Sequence, residues 1–141
     1  MVWKDGMRRF DQMSQKTEKS LFTSMNRQVG RLIQQYGLIE DGDRILVAMS
    51  GGKDSSFLLH ILSDFQKKAP VDFELFPVHL DQGQPGHEAS PLQRLVESMG
   101  YDLHVEYQDT YSTVLDLTPE GKTYCAVCSR LRRGILYRLA R

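Results

Sequence analysis

Cysteine is scarce in this chain of 141 residues: only Cys125 and Cys128 occur, separated by two positions. That excludes a fold stapled by several disulfides, as small secreted domains use. In a reducing compartment, C-x-x-C spacing points to a metal or redox site more than to a structural bridge. Charge of one sign is not in excess either. Lys plus Arg and Asp plus Glu are 18 each, so the net charge is zero and does not by itself select an acidic or basic partner. No apolar run is long enough to span a bilayer, which argues against a membrane protein. The opening "MVWKDGMRRFDQ" lacks the apolar core of a signal peptide, so the cytoplasm is the expected compartment. Internal repeats, low-complexity tracts and obvious linkers are also missing.

What is present is ordinary for a soluble globular domain. Hydrophobic residues are 40% and charged residues 26%, in a length suited to one domain. Residues 1–15 are expected to be loose and residues 16–141 to form the domain. From Lys16 to Tyr36, apolar residues at Leu21, Phe22, Met25, Val29, Leu32, Ile33 and Tyr36 mark an amphipathic helix, ended at Gly37. "ILVAM" reads as a strand buried on both faces. A glycine loop follows, then a helix with Phe57, Leu58, Leu59, Ile61, Leu62 and Phe65. "FELFPVHL" reads as a second strand, and Pro77 inside it points to an edge or a bulge. "SPLQRLVESMG" carries helix-start signals: Ser90 as cap, Pro91 at the first helical position and Gln93 to complete a capping box. Gly100 ends that helix. "DLHVEY" is a third strand, "DTYSTVLDLTPEGKTY" a long connection, and a last helix starts near Cys125 with Leu131, Ile135, Leu136 and Leu139 inward. Strands alternating with helices predict an α/β fold with a parallel sheet.

The loop "VAMSGGKDSS" joins a strand to a helix start, where free N–H groups and the helix dipole favour an anion. Gly51 and Gly52 permit positive φ and close approach of the main chain to a ligand. Ser50, Ser55 and Ser56 offer hydroxyls, Lys53 a charge, and Asp54 a carboxylate able to hold Mg²⁺ against phosphates. The spacing is neither G-x-x-x-x-G-K-[ST] nor G-x-G-x-x-G. The alternative is a tight turn with a capping serine.

"SGGKDS" after an apolar strand resembles the PP-loop family of ATP pyrophosphatases. The resemblance implies a Rossmann-like parallel sheet with flanking helices. It also implies that Ser50, Gly51, Gly52, Lys53, Asp54 and Ser55 bind the pyrophosphate of ATP and Mg²⁺. Such enzymes cleave ATP between the α and β phosphates and adenylate a substrate oxygen. Two further stretches narrow the likeness: "LDQGQPG" (Leu80 to Gly86) and "PEGKTYCAVCSRLRRGILYRLA" (Pro119 to Ala140). Both are similar to the tRNA 2-thiocytidine synthetases, the tRNA-cytidine 2-sulfurtransferase family, over Lys16 to Arg141. That implies activation of an anticodon-loop cytidine with ATP and replacement of its C2 oxygen by sulfur from a donor such as a cysteine desulfurase. It also implies a [4Fe–4S] cluster with Cys125 and Cys128 as two of its ligands. The family's third cysteine has no counterpart in this sequence.

Alternatives stay open on the residues themselves. Cys125 and Cys128 could be half of a zinc site, with His79, His87 or His104 folding back, or two thiols with no role. A helix N-terminus with arginines behind it favours thiolate, the form that binds metal or carries sulfur. The four histidines read as structural or surface residues. Arg130, Arg132, Arg133, Arg138 and Arg141 are candidates for tRNA phosphates. Position favours contact for Arg132 and Arg133, whereas Arg138 and Arg141 suit a helix C-terminus. Asp81 and Gln82 lie at a strand's carboxyl end, where α/β sheets bind ligands. Asp54, Asp81 and Arg132 are the catalytic candidates.

The alternating pattern stops after a helix, where a fourth strand is expected. The enzymes it resembles carry further strands beyond that point. A fragment, a natural truncation, and completion by another chain, as in a homodimer, are the three explanations, the first being favoured. Competing functions are another PP-loop tRNA enzyme (a 2-thiouridine synthetase or a lysidine-type ligase) and a non-catalytic ATP- or tRNA-binding module.

Overall fold

A computed structural model describes residues 2–86, 88–118, 121 and 123–141, with residues 2–15 described in backbone only. The elements run α1 (Val2–Tyr36), β1 (Asp43–Ala48), α2 (Lys53–Gln66), β2 (Phe73–Asp81), α3 (Ser90–Ser98), β3 (His104–Tyr107), α4 (Tyr111–Leu117) and α5 (Cys125–Leu139). Among the described residues the strands make one parallel sheet in the order β1-β2-β3. Asp43 lies opposite Phe73 and Val78 opposite His104, which fixes both registers. The α/β class with a parallel sheet and flanking helices is therefore as expected.

The β1-α2-β2 and β2-α3-β3 crossovers move in the same direction across the sheet. Right-handed crossovers then place α2 and α3 on the same face. There Val47 and Met49, with Phe73 and Leu75, meet Ile33 of α1, Leu59 and Leu62 of α2, and Leu92 and Val96 of α3. Leu59 and Val96 are wholly buried. On the other face Val114 of α4 and Ile135 of α5 are buried. That cover is partial: an open cavity of about 1010 Å³ is lined by Leu46, Phe76, Leu103 and Leu139, and the Arg44 guanidinium lies 4.7 Å over the Phe76 ring.

Several expectations are corrected. α1 begins at Val2, so the backbone of residues 2–15 is helical too. Once a helix is nucleated, extending it is cheap, and residues 2–15 hold no proline to stop it. Among the described residues β1 lies at the margin of the sheet, and it is not buried along its whole length: Val47 is buried, whereas Arg44 and Ala48 are exposed. Continuous apolar sequence records two potential faces, not how many neighbours arrive.

Pro77 stands in the central strand, not at an edge. The Val78 carbonyl accepts from Met49 on the β1 side and the Asp81 carbonyl accepts from Gln108 on the β3 side. Alternation therefore turns the Pro77 nitrogen toward β3. The β3 ladder begins only at Val78–His104, one residue later, so the missing N–H interrupts no bond.

The capping box of α3 does not form. Ala89 is the N-cap, Ser90 Oγ donates to Glu88 Oε1 (3.1 Å), and Gln93 Nε2 donates to Glu97 Oε1 (3.0 Å). The connection before α5 contains α4, whose apolar signal is too short to stand out in sequence. Its start is organised by Asp109, which accepts the Ser112 N–H (3.1 Å) and hydroxyl (2.9 Å). These bonds hold the Asp109 carboxyl below its ordinary range.

Candidate functional site

Three parallel strands place their carboxyl ends along one edge. The glycine loop, the Asp81–Gly83 turn and residues Gln108–Thr110 all lie there. This is where an open α/β sheet presents groups to a ligand.

The loop is built by its own side chains. Ser50 N–H donates to Ser55 Oγ (3.2 Å), and the two hydroxyl oxygens lie 3.1 Å apart. Gly52 N–H donates to Ser50 Oγ (3.3 Å). Gly51 has φ +81°, the left-handed conformation that glycine adopts without strain. Gly52 is different: at φ −84° it is the N-cap of α2, and a Cβ there would lie 3.4 Å from Ser50 Oγ. Its role is to leave room, not to supply positive φ. Ser55 and Ser56 hydroxyls both donate to the Gly52 carbonyl (3.1 Å each), which ties the first turn of α2 to the loop. Ser56 N–H is the first of α2 to find a carbonyl, Gly52 O at 3.3 Å. The N–H groups of Lys53, Asp54 and Ser55 therefore have no intrahelical acceptor, as at any helix start. Lys53 Nζ and Asp54 Oδ1 pair at 2.6 Å with side chains 90% and 91% exposed. Such a pair contributes little to stability and opens readily to a ligand.

The loop is anchored from beneath by His79. This residue is 4% exposed, and its Nδ1 hydrogen-bonds to the carbonyl of Met49, 2.7 Å away, immediately before Ser50. A ring nitrogen facing a carbonyl carries the proton. His79 is thus structural, as expected of the histidines, and so is His60, whose ring packs on Phe22. His104 lies on β3 beside Glu106 (3.4 Å). His87 and Pro119 lie outside the described residues. Among the described residues no group of three His, Cys, Asp or Glu side chains is placed to hold a metal. The zinc alternative through His79 and His104 therefore has no geometry behind it. The two thiols alone also fall short of a cluster site, which takes several thiolates.

Asp81 Oδ1 accepts the Gly83 N–H (2.9 Å) and so shapes the turn after β2. Gln82 between them reaches both neighbours. Its carbonyl accepts Tyr111 N–H (3.1 Å), and its side-chain Oε1 accepts from Thr110 Oγ1 (3.2 Å) and Cys128 Sγ (3.2 Å). The turn and the C-x-x-C helix, far apart in sequence, are thereby joined. Cys125 is exposed and Cys128 half-buried at the start of α5. Arg132 follows Cys128 by four residues and shares its side of the helix. Arg132 and Arg133 are exposed and form no ion pair among the described residues. Arg138 instead bonds Glu106 Oε1 (3.3 Å) and Gln108 Oε1 (3.2 Å), tying α5 to β3. Its structural role matches expectation, through a cross-element bond rather than the helix dipole alone. Thr110, buried among these groups, escaped sequence reading, because a lone threonine in a polar connection carries no pattern.

Comparison with known proteins agrees with this geometry. A model of the PP-loop domain matches residues 21–123. A tRNA-cytidine(32) 2-sulfurtransferase from Burkholderia multivorans is 48% identical over 139 residues, which are 99% of this chain and 42% of that protein. Proteins of the same name from Polynucleobacter asymbioticus and Deinococcus radiodurans are 51% and 54% identical, over 87% and 86% of this chain and 41% and 40% of theirs. The chain thus spans about two fifths of the length of these curated relatives. With the strand–loop–helix at Ser50–Ser55 and a matching domain model over most of its length, the chain belongs to the PP-loop domain family.

Proposed function

We propose that this chain carries the ATP-binding part of a tRNA sulfurtransferase that converts cytidine to 2-thiocytidine in the anticodon loop. The observation that supports it most is the meeting of two chemistries at one sheet edge. The phosphate-type loop and the Asp81–Gly83 turn lie at adjacent strand ends, and the turn is hydrogen-bonded to Cys128 through Gln82. The relatives' names point to the same reaction.

The loop's open N–H groups, the Ser50 and Ser55 hydroxyls and Lys53 bind the β and γ phosphates of ATP, and Asp54 holds Mg²⁺ against them. Neutralising that pyrophosphate makes it a better leaving group. The C2 oxygen of cytidine attacks the α-phosphorus, and the α–β bond breaks. The adenylated oxygen then leaves as AMP when a sulfur nucleophile takes its place at C2. Asp81, at the carboxyl end of β2, is the candidate to assist this exchange, and Arg132 and Arg133 carry charge for tRNA phosphates. Cys125 and Cys128 receive the sulfur chemistry, supplied from a donor outside the chain. A [4Fe–4S] cluster is the cofactor that the family resemblance implies, but two thiols do not complete one, so no step is assigned to it. No described helix is long and apolar enough to cross a membrane. The cytoplasm, where tRNA is modified, is the proposed compartment.

The test is mass spectrometry of tRNA nucleosides from cells lacking 2-thiocytidine and supplied with the protein, with pyrophosphate release followed in vitro. Appearance of 2-thiocytidine supports the reading. Appearance of 2-thiouridine or lysidine would replace it with another PP-loop reaction. Binding of ATP or tRNA with no pyrophosphate release would reduce the chain to a binding module.

A further inference from the structure

We propose that Gln82 is a positioning residue that clasps Cys128 to the carboxyl edge of the sheet and makes the two cysteines inequivalent. Gln82 cannot drift. The residue before it, Asp81, gives its carbonyl to Gln108 N–H (2.9 Å) and its carboxylate to Gly83 N–H (2.9 Å). The residue after it, Gly83, has φ +75°, and a Cβ there would meet Tyr107 Oη at 3.3 Å and Asp109 Oδ1 at 3.4 Å. The Gln82 carbonyl is itself held by Tyr111 N–H at the start of α4.

The orientation of its side chain is set by Thr110, which is 4% exposed. The Thr110 hydroxyl and the Cys128 thiol both donate to Oε1, at 3.2 Å each. With the amide oxygen at this point, both the hydroxyl and the thiol have an acceptor in one atom. Cys128 is therefore held from a strand end 46 positions earlier in sequence. Cys125, one helical turn away, is exposed and has no partner among the described residues. If the sulfurtransferase reading holds, on which this role rests, Cys128 is the thiol with a fixed place beside the nucleotide edge, and Cys125 the one free to move.

The experiment alkylates the folded chain with iodoacetamide at one pH, without ATP or tRNA, and follows each cysteine by peptide mass spectrometry. In the unaltered chain Cys125 reacts faster than Cys128. Gln82→Met has the same length and no acceptor oxygen, and it speeds Cys128 about fivefold or more while Cys125 stays within about twofold. Gln82→Glu keeps an oxygen in place and leaves Cys128 slow, whereas a merely space-filling role would leave Cys128 slow in Gln82→Met as well. Equal rates in the unaltered chain, or an unchanged Cys128 rate in Gln82→Met, overturn the proposal. If Gln82→Met unfolds, Gln82→Leu, also without an acceptor, decides: a faster Cys128 supports the clasp, and protection kept refutes it. Because the assay uses no substrate, its failure leaves the sulfurtransferase reading standing, and absence of 2-thiocytidine leaves the clasp standing.

Discussion

At the scale of single residues, the loop divides into groups that shape it and groups that act. Gly51 shapes it. Its φ of +81° costs any residue with a Cβ about 1 kcal/mol or more. Gly51→Ala is expected to lower the melting free energy by about that amount and to weaken ATP binding, read by a thermal melt and a nucleotide titration. Asp54 acts. Its ion pair with Lys53 is almost fully exposed, so Asp54→Asn should leave the melt nearly unchanged. Under the proposed Mg²⁺ role, pyrophosphate release should fall about tenfold or more. A normal rate of release would remove Asp54 from that role. The loop is legible in the sequence alone because S-G-G-K-D-S is contiguous and its job is local. Gln82's role is only half legible there: its place at a strand end can be inferred, but not that its amide meets a thiol from α5. Hydrogen bonds between distant segments leave no periodic trace.

At the scale of elements, α1 and α2 are joined by a polar clasp beside the apolar one. Asn26 of α1 hydrogen-bonds Asp64 of α2, and Lys68 pairs with the same carboxylate at 2.6 Å. Chiefly through the Lys68 hydrogen bond, and against an opposing effect of burial, the Asp64 carboxyl is held below its ordinary range. A carboxyl with a lowered folded-state value stabilises the fold above the unfolded-state value, about pH 4. That contribution is lost as pH falls through the lower folded-state value. Urea melts at pH 7 and pH 3 should show a smaller acid loss in Asp64→Asn than in the parent, and a less stable protein at pH 7. The apolar side of the same contact is tested by Leu59→Ala. Leu59 is fully buried between α1, α2 and the sheet, so the substitution should cost about 2–5 kcal/mol. The part of α1 from Lys16 to Tyr36 could be read from its 3.6-residue pattern, and α2 from its apolar run after the loop. The α4 helix could not, since seven residues with one buried valine give no sustained period.

At the scale of the whole molecule, the parallel sheet gathers at one edge groups that lie from Ser50 to Cys128 in sequence. The arginines extend that edge along α5. Arg132 and Arg133 are exposed and unpaired among the described residues, whereas Arg138 is bound to Glu106 and Gln108. Replacing Arg132 and Arg133 by alanine should therefore lower tRNA affinity and reduce the salt slope by about 0.7–0.9 per arginine. Arg138→Ala should act mainly on stability, read in the melt. An unchanged salt slope in the double variant would leave the two arginines as solvated surface.

The sequence by itself determined the α/β class, the anion-binding loop and the pairing of C-x-x-C with a basic helix, because each depends on residues close together in the chain. Tertiary structure decided the rest. Strand order among the described residues put Pro77 in the strand between β1 and β3, where the late start of β3 excuses its missing N–H. Packing chose which face of β1 is covered. Convergence of three strand ends brought Gln82, Thr110 and Cys128 within hydrogen-bonding distance. These outcomes turn on which distant segments become neighbours, and local propensity and spacing do not encode that.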